Sequence, residues 1–151
     1  MLAALSLMGL VAAQEFPAAV ALPASFKSEA LAGCAPATIE AAEACLRASM
    51  SAEDLAVLND RVAARRFRSP LDCALIAAWK LDDSTSPMGR TMDRLIGVHR
   101  PLIAAGMIIS DLQVRANSDD GHGLPFGELR SMFAATPPPP NDLSVCDSPK
   151  S

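Results

Sequence analysis

The sequence is poor in aromatic residues: it contains no tyrosine and one tryptophan, and aromatic side chains make up 4% of the chain. Half of the residues are apolar, but much of that fraction is alanine. β-Sheets are built largely from β-branched and aromatic side chains, whereas alanine and leucine favour helix. The composition therefore predicts an all-α fold, a small bundle of about five helices followed by a proline-rich C-terminal tail.

Positive charge is also scarce, because 13 Lys and Arg residues face 17 Asp and Glu residues. This balance provides no broad positive field for a phosphate backbone, so no nucleic-acid partner is expected. The two histidines are His99 and His122, and His99 is expected to cap a helix start. The sequence contains no Gly-x-Ser-x-Gly, His-Glu-x-x-His, Walker-type or Gly-x-Gly-x-x-Gly pattern. We therefore predict no catalytic residue and no cofactor, and the composition leans away from an enzyme.

The N-terminal segment, Met1 to Ala13, is apolar and carries no charge. It is too short to span a bilayer, which takes about 20 residues of helix. Val11 and Ala13 stand where a signal peptidase would recognise small residues before Gln14. We predict a signal peptide over residues 1–13, a periplasmic or secreted protein and no transmembrane helix. The absence of Lys and Arg before Lys27 is unusual for a signal peptide, and an apolar helix kept in the fold is the alternative.

Proline, glycine and capping residues divide the remaining chain into an Ala/Pro-rich spacer (14–33), a helical domain (34–135) and a proline-rich tail (136–151). Residues that can cap a helix, or occupy its first turn, predict successive helix starts: Thr38, Ser51, Ser69-Pro70, Ser86-Pro87 and Pro101. A short helix is expected around residues 126–133, after a turn-forming loop.

Two segments, 69–81 and 101–115, are apolar nearly all round and are expected at the centre of the bundle. Their most apolar faces predict a core of Leu75, Trp79, Leu102, Ile108 and Ile109. Glycine inside a helix costs about 1 kcal/mol relative to alanine, so Gly106 predicts a close contact with another helix.

The helix starting at Ser51 is expected to carry an apolar line of Leu55, Leu58 and Val62. Arginines cluster where this helix should end, at positions 61, 65, 66 and 68. We interpret them as complementing the negative end of the helix dipole, with an anion or nucleic-acid site as the less favoured alternative.

Four cysteines, Cys34, Cys45, Cys73 and Cys146, lie beyond the predicted cleavage site, and none forms a Cys-x-x-Cys pair. An even number in an oxidising compartment favours disulfides over metal ligation or redox catalysis. The expected pairs are Cys45–Cys73 and Cys34–Cys146, because Cys45 and Cys73 lie on helices that should pack together. The main rival is Cys34–Cys45 with Cys73–Cys146.

The segment from Asn117 to Glu128 has the composition of a metal-binding loop. As a calcium loop it would offer Asn117, Asp119 and Glu128, but His122 stands where a glycine is needed for the sharp turn. A transition-metal site could use Asp119, Asp120 and His122. These five residues are the candidate metal ligands, although a solvated turn is the favoured interpretation.

Residues 97–101 (Gly-Val-His-Arg-Pro) and 106–109 (Gly-Met-Ile-Ile) resemble the end of an uncharacterised family of small helical bacterial domains. That family carries a Gly-hydrophobic-x-His-Pro-Asp-Asp-Met-Ser-Gly-Ile-Ile run. Gly97, Pro101 and Gly106 match it, whereas Arg100 replaces its histidine and apolar residues replace its two acidic ones. The likeness covers residues 38–115 and implies a helical fold with no assigned activity.

Taken together, these features predict an exported helical protein that binds another protein or an envelope component. The alternative is a metal-dependent hydrolase or a calcium-binding protein that uses the 117–128 loop.

Overall fold

The computed structural model describes residues 22–140 and 143–147, so the predicted signal peptide and the first part of the spacer lie outside the described residues. The described residues form seven α-helices and no β-strand, which confirms the all-α class with more helices than the predicted five. The helices are α1 (Ser28–Ala32), α2 (Ile39–Ala48), α3 (Ala52–Asn59), α4 (Arg68–Trp79), α5 (Pro87–Ile96), α6 (Pro101–Asn117) and α7 (Phe126–Ala135). There are also two short 3-10 helices: Ala63–Arg66 precedes α4, and Leu143–Asp147 lies near the C terminus.

Hydroxyl side chains begin three of these helices as predicted. Thr38 accepts the Ala41 N–H at 3.2 Å, Ser51 accepts the Asp54 N–H at 3.1 Å and Ser86 accepts the Gly89 N–H at 3.1 Å. Each bond satisfies one of the backbone donors that a helix start leaves free. Helix α5 ends at Gly97, whose φ of 76° lies in the left-handed region that glycine adopts most readily.

The predicted boundaries between α3 and α4 are wrong. Helix α3 ends at Asn59, and the Asp60 carboxylate accepts the backbone N–H groups of Val62 and Ala63, which starts the 3-10 helix instead. Val62 is therefore outside the helix and 72% exposed, rather than part of an apolar line. Helix α4 begins at Arg68, one residue before the Ser69 that was expected to cap it.

Helices α4 and α6 form the centre of the bundle, where α6 also packs against α2, α3 and α5. Four of the five predicted core residues, Leu75, Trp79, Ile108 and Ile109, are buried, whereas Leu102 is only partly buried. In the part of the chain described, no single helix has the length and apolar character needed to cross a bilayer; α5 and α6 have it together but meet at 83°.

Arg68 fastens α4 to α6, and so does not serve the dipole role predicted for it. Its guanidinium donates to the Gly106 carbonyl at 2.7 Å, to Ser110 Oγ at 3.0 Å and to Gln113 Oε1 at 3.3 Å. Gln113 in turn donates to the Leu58 carbonyl at 2.7 Å, which brings α3 into the same network. The close contact predicted at Gly106 is therefore made by an arginine of α4.

The ends of the described chain are attached to the domain. Phe26 and Leu31, in the predicted spacer, are buried in the core, so the packed region starts before residue 34. At the other end, the Arg100 guanidinium donates to the carbonyls of Pro138 and Pro139 at 3.1 Å each. Proline has no backbone N–H and a polyproline segment forms no internal hydrogen bonds, so Arg100 supplies the donors that attach this segment to the domain.

The disulfides are Cys34–Cys45 and Cys73–Cys146, so the preferred pairing of Cys45 with Cys73 and Cys34 with Cys146 is wrong. That pairing assumed that α2 and α4 are close neighbours. Instead, α2 packs mainly on α1 and α6, and the partly buried Cys73 meets the C-terminal 3-10 helix. Two disulfides favour an oxidising extracellular or periplasmic compartment.

Candidate functional site

The predicted metal-binding residues do not converge. The Asn117 amide donates to the carbonyls of Asn59 and Gln113, and Asp120 pairs with His122 at 3.3 Å in an exposed turn. Asp119 is also exposed, and Glu128 lies in the first turn of α7. Among the described residues, no group of three or more His, Cys, Asp or Glu side chains is arranged to hold a metal ion.

The loop is held by the buried carboxylate of Asp111 in α6. Asp111 is 0% exposed and accepts the Leu124 N–H at 2.5 Å and the Arg115 Nε–H at 2.8 Å. Gly123 passes so close that a β-carbon there would collide with Asp111 Oδ1 and with the Arg115 guanidinium. One side chain thus anchors the loop after α6, and glycine at position 123 makes that approach possible.

Glu43 of α2 forms a buried acid pair with Asp111. Glu43 is 2% exposed, and Arg115 Nε lies 3.7 Å from its Oε2 atom. Burial raises the pKa of Glu43 to about 8, and the hydrogen bond and negative charge of Asp111 act in the same direction. Burial opposes ionisation of Asp111 too, but hydrogen bonds from Glu43, Arg115 and the Leu124 N–H outweigh it and lower its pKa.

At neutral pH the pair therefore holds one proton, on Glu43, while Asp111 is ionised and neutralised by Arg115. Two carboxyl groups in contact can share a site only when one of them is protonated. Because both groups are shielded from solvent, the acid pair joins α2 to α6, and Asp111 also holds the 118–124 loop through the Leu124 N–H.

His99 contacts α5 and the preceding loop, rather than capping α6 as expected. Its Nδ1 lies 3.0 Å from the Asp93 carboxylate and its Nε2 lies 3.1 Å from the Asp82 carbonyl. Ser84 Oγ is 3.3 Å from the same Nδ1. A serine nucleophile and its supporting carboxylate must use opposite ring nitrogens. The serine and the aspartate share one nitrogen here, so the three residues do not form a nucleophilic triad.

A cavity of about 550 Å³ lies between α4 and the C-terminal 3-10 helix. Its apolar lining comes from Ile76 and Ala77 of α4 and from Leu143 of the C-terminal segment. The Cys73–Cys146 disulfide also lines it, so the C-terminal wall of the cavity is covalently fixed to α4.

The rim of this cavity is acidic. It carries three carboxylates, Asp82, Asp83 and Asp147, and one ammonium group, Lys80. Hydrogen bonds from the hydroxyl and the backbone N–H of Thr85 hold the pKa of Asp83 below its ordinary value, which keeps it ionised. Apolar walls with an excess of negative charge at the mouth suit a ligand that has an apolar body and a cationic group.

Sequence reasoning missed both the acid pair and the cavity. A signal for the pair was available, because Asp111 and Glu43 each interrupt an apolar helix face, and a charge buried in such a face needs a partner. The cavity gave no comparable signal, since it depends on which cysteine joins Cys146.

Comparisons of the chain with protein-family models, with curated proteins and with solved structures found no match. The resemblance to the small helical bacterial family therefore stays a prediction.

Proposed function

We propose that this chain is an exported, disulfide-bonded helical protein that works by binding a protein or another component of the cell envelope. The observation that carries the proposal is the cavity on α4, with its apolar walls, acidic rim and disulfide-fixed C-terminal side. A cavity with a few charged groups at its mouth is the usual form of a binding site. The two disulfides support export, because such bonds persist in oxidising compartments.

The acidic rim favours a cationic group on the ligand. A lysine side chain or an N-terminal amine of a partner protein has this chemistry, with an aliphatic stem for Ile76, Ala77 and Leu143 and a charge for the carboxylates. Lys80 opposes such a ligand, and its removal should strengthen binding.

Export predicts a mature N terminus close to Gln14. We expect mass spectrometry of the protein from its native host to find cleavage after Ala13 or at a neighbouring bond, because small residues at positions 11 and 13 suit signal peptidase. An intact Met1 on a cytoplasmic protein would contradict the proposal.

Binding at the cavity predicts that dansylcadaverine, an apolar fluorophore joined to an alkyl amine, gains fluorescence with the purified protein. Ala77→Trp fills the cavity and should weaken this binding about tenfold or more, a loss of about 1.4 kcal/mol. Lys80→Gln should tighten it. Ala135→Trp, which adds the same side chain to an exposed position of α7, is the matched control and should bind as wild type. Equal binding by Ala77→Trp and wild type would exclude the cavity as the site.

A further inference from the structure

The turn between α3 and α4 presents positive charge and an apolar side chain together. Arg61, Arg65 and Arg66 are exposed, and Val62 among them is 72% exposed, the highest exposure of the large apolar residues described. Val57, in the last turn of α3, is 37% exposed. We call the segment from Arg61 to Arg66 the basic turn.

The three arginines of the basic turn are unpaired. Within residues 22–140 and 143–147, none of their guanidinium groups has a hydrogen bond or ion pair, whereas Arg68 and Arg115 each donate hydrogen bonds. The nearest carboxylate in sequence, Asp60, accepts the backbone N–H groups of Val62 and Ala63 and forms no ion pair with these arginines. The basic turn thus keeps three cationic groups available to an external partner.

This concentration contrasts with the whole chain, which has a net charge of −4. An extended polyanion such as nucleic acid would be repelled by most of the surface. A flat anionic surface can be approached by one edge of the protein, with the acidic remainder turned away from it.

We infer that the basic turn docks the protein on an anionic lipid membrane. The guanidinium groups would bind headgroup phosphates, for which the planar, multidentate donor geometry of arginine is well suited. Val62 would enter the boundary between headgroups and acyl chains, which accounts for an exposed apolar side chain that a site for a soluble anion would not use.

The inference depends on the proposed export in one respect: export decides which membrane surface the protein meets. Docking on vesicles and cleavage of the N terminus are separate measurements, so either can fail without the other.

The test is co-sedimentation of the full chain with phosphatidylcholine vesicles, with and without a fraction of phosphatidylglycerol. We expect binding only to the anionic vesicles, and the bound fraction should fall as salt is raised. Replacing the three arginines (Arg61→Gln, Arg65→Gln and Arg66→Gln) should lower the affinity about 100-fold, since each basic residue near an anionic surface contributes about fivefold.

The matched control removes the same charge elsewhere, at Lys27, Arg90 and Arg94, each changed to Gln. It should retain most of the wild-type affinity. Val62→Ser should weaken binding while leaving its salt dependence unchanged, and far-ultraviolet circular dichroism checks that each variant is folded. The inference is overturned if wild-type protein ignores anionic vesicles, if both triple variants lose affinity equally, or if inorganic phosphate at millimolar concentration displaces the protein from vesicles.

Discussion

Replacing Trp79 by alanine is expected to lower the free energy of unfolding by about 3–5 kcal/mol. Trp79 is 4% exposed at the end of α4 and belongs to the core, with Leu75 one turn earlier. Truncation removes the largest side chain of the protein and leaves a cavity that helical neighbours can fill only partly. A loss of this size approaches the whole stability of many domains of this length.

The control for this prediction is Trp79→Phe. The indole Nε1 is buried and has no hydrogen-bond partner among the described residues. Phenylalanine therefore reduces the packed volume without removing a hydrogen bond, and should lower the free energy of unfolding by about 1–2 kcal/mol. Urea denaturation followed by circular dichroism measures both variants. A cost below about 1 kcal/mol for Trp79→Ala would place the residue outside the core, and a cost well above about 2 kcal/mol for Trp79→Phe would show that the indole N–H has a partner.

Raising the pH from 6 to 8 is expected to destabilise the protein by about 2 kcal/mol. Glu43 ionises near 4.5 in the unfolded chain, but its pKa is about 8 in the folded protein. The folded state therefore binds one more proton than the unfolded chain between these two values. The stabilising effect of Glu43 is complete below its unfolded pKa and is lost as the pH rises through its folded pKa.

Two other acids, Asp72 and Asp111, define the pH range in which this effect is measured. Burial raises the pKa of Asp72 to about 6 despite the charge of Arg68. Ionisation of Asp72 therefore lowers the free energy of unfolding mainly below that pH. The lowered pKa of Asp111 has the opposite sign, and its stabilisation is lost only as the pH falls into the acidic range. Between pH 6 and 8 the fall in the free energy of unfolding with rising pH is therefore expected to come from Glu43.

Glu43→Gln places a neutral amide where the protonated carboxyl stands. It should make the free energy of unfolding independent of pH between pH 6 and 8. Asp72→Asn is the matched control and should retain the wild-type dependence on pH. Urea midpoints at several pH values provide the measurement. A wild-type protein of constant stability across this range, or a Glu43→Gln variant with the wild-type slope, would show that the acid pair does not hold its proton.

Helix positions could be predicted from the sequence because their causes are local. Thr38, Ser51 and Ser86 cap the helices that follow them, and Gly97 ends α5 for a reason that depends on one residue. The same local reasoning failed at Val62, where the periodicity of α3 continues past the point at which Asp60 ends the helix.

Features that depend on the arrangement of distant segments could not be predicted. Which cysteines pair depends on which helices are neighbours, and the spacing of the cysteines along the chain holds no such information. The loop after α6 illustrates the same limit. Its own acidic residues suggested a metal site, whereas its main contact is with Asp111, which precedes the loop within an apolar helix.

The two disulfides close two separate loops of the chain and leave the stretch between them without a crosslink. One closes entirely within residues 34–45 and the other within 73–146, so neither crosses the stretch between them. A protease that cuts once between residues 73 and 146 leaves both pieces joined by sulfur. A single cut between residues 46 and 72, which include the basic turn, leaves the two halves held by noncovalent contacts, among them the packing of α1 on α4 and of α2 and α3 on α6. We therefore expect resistance to proteolysis to depend most on this uncrosslinked middle stretch.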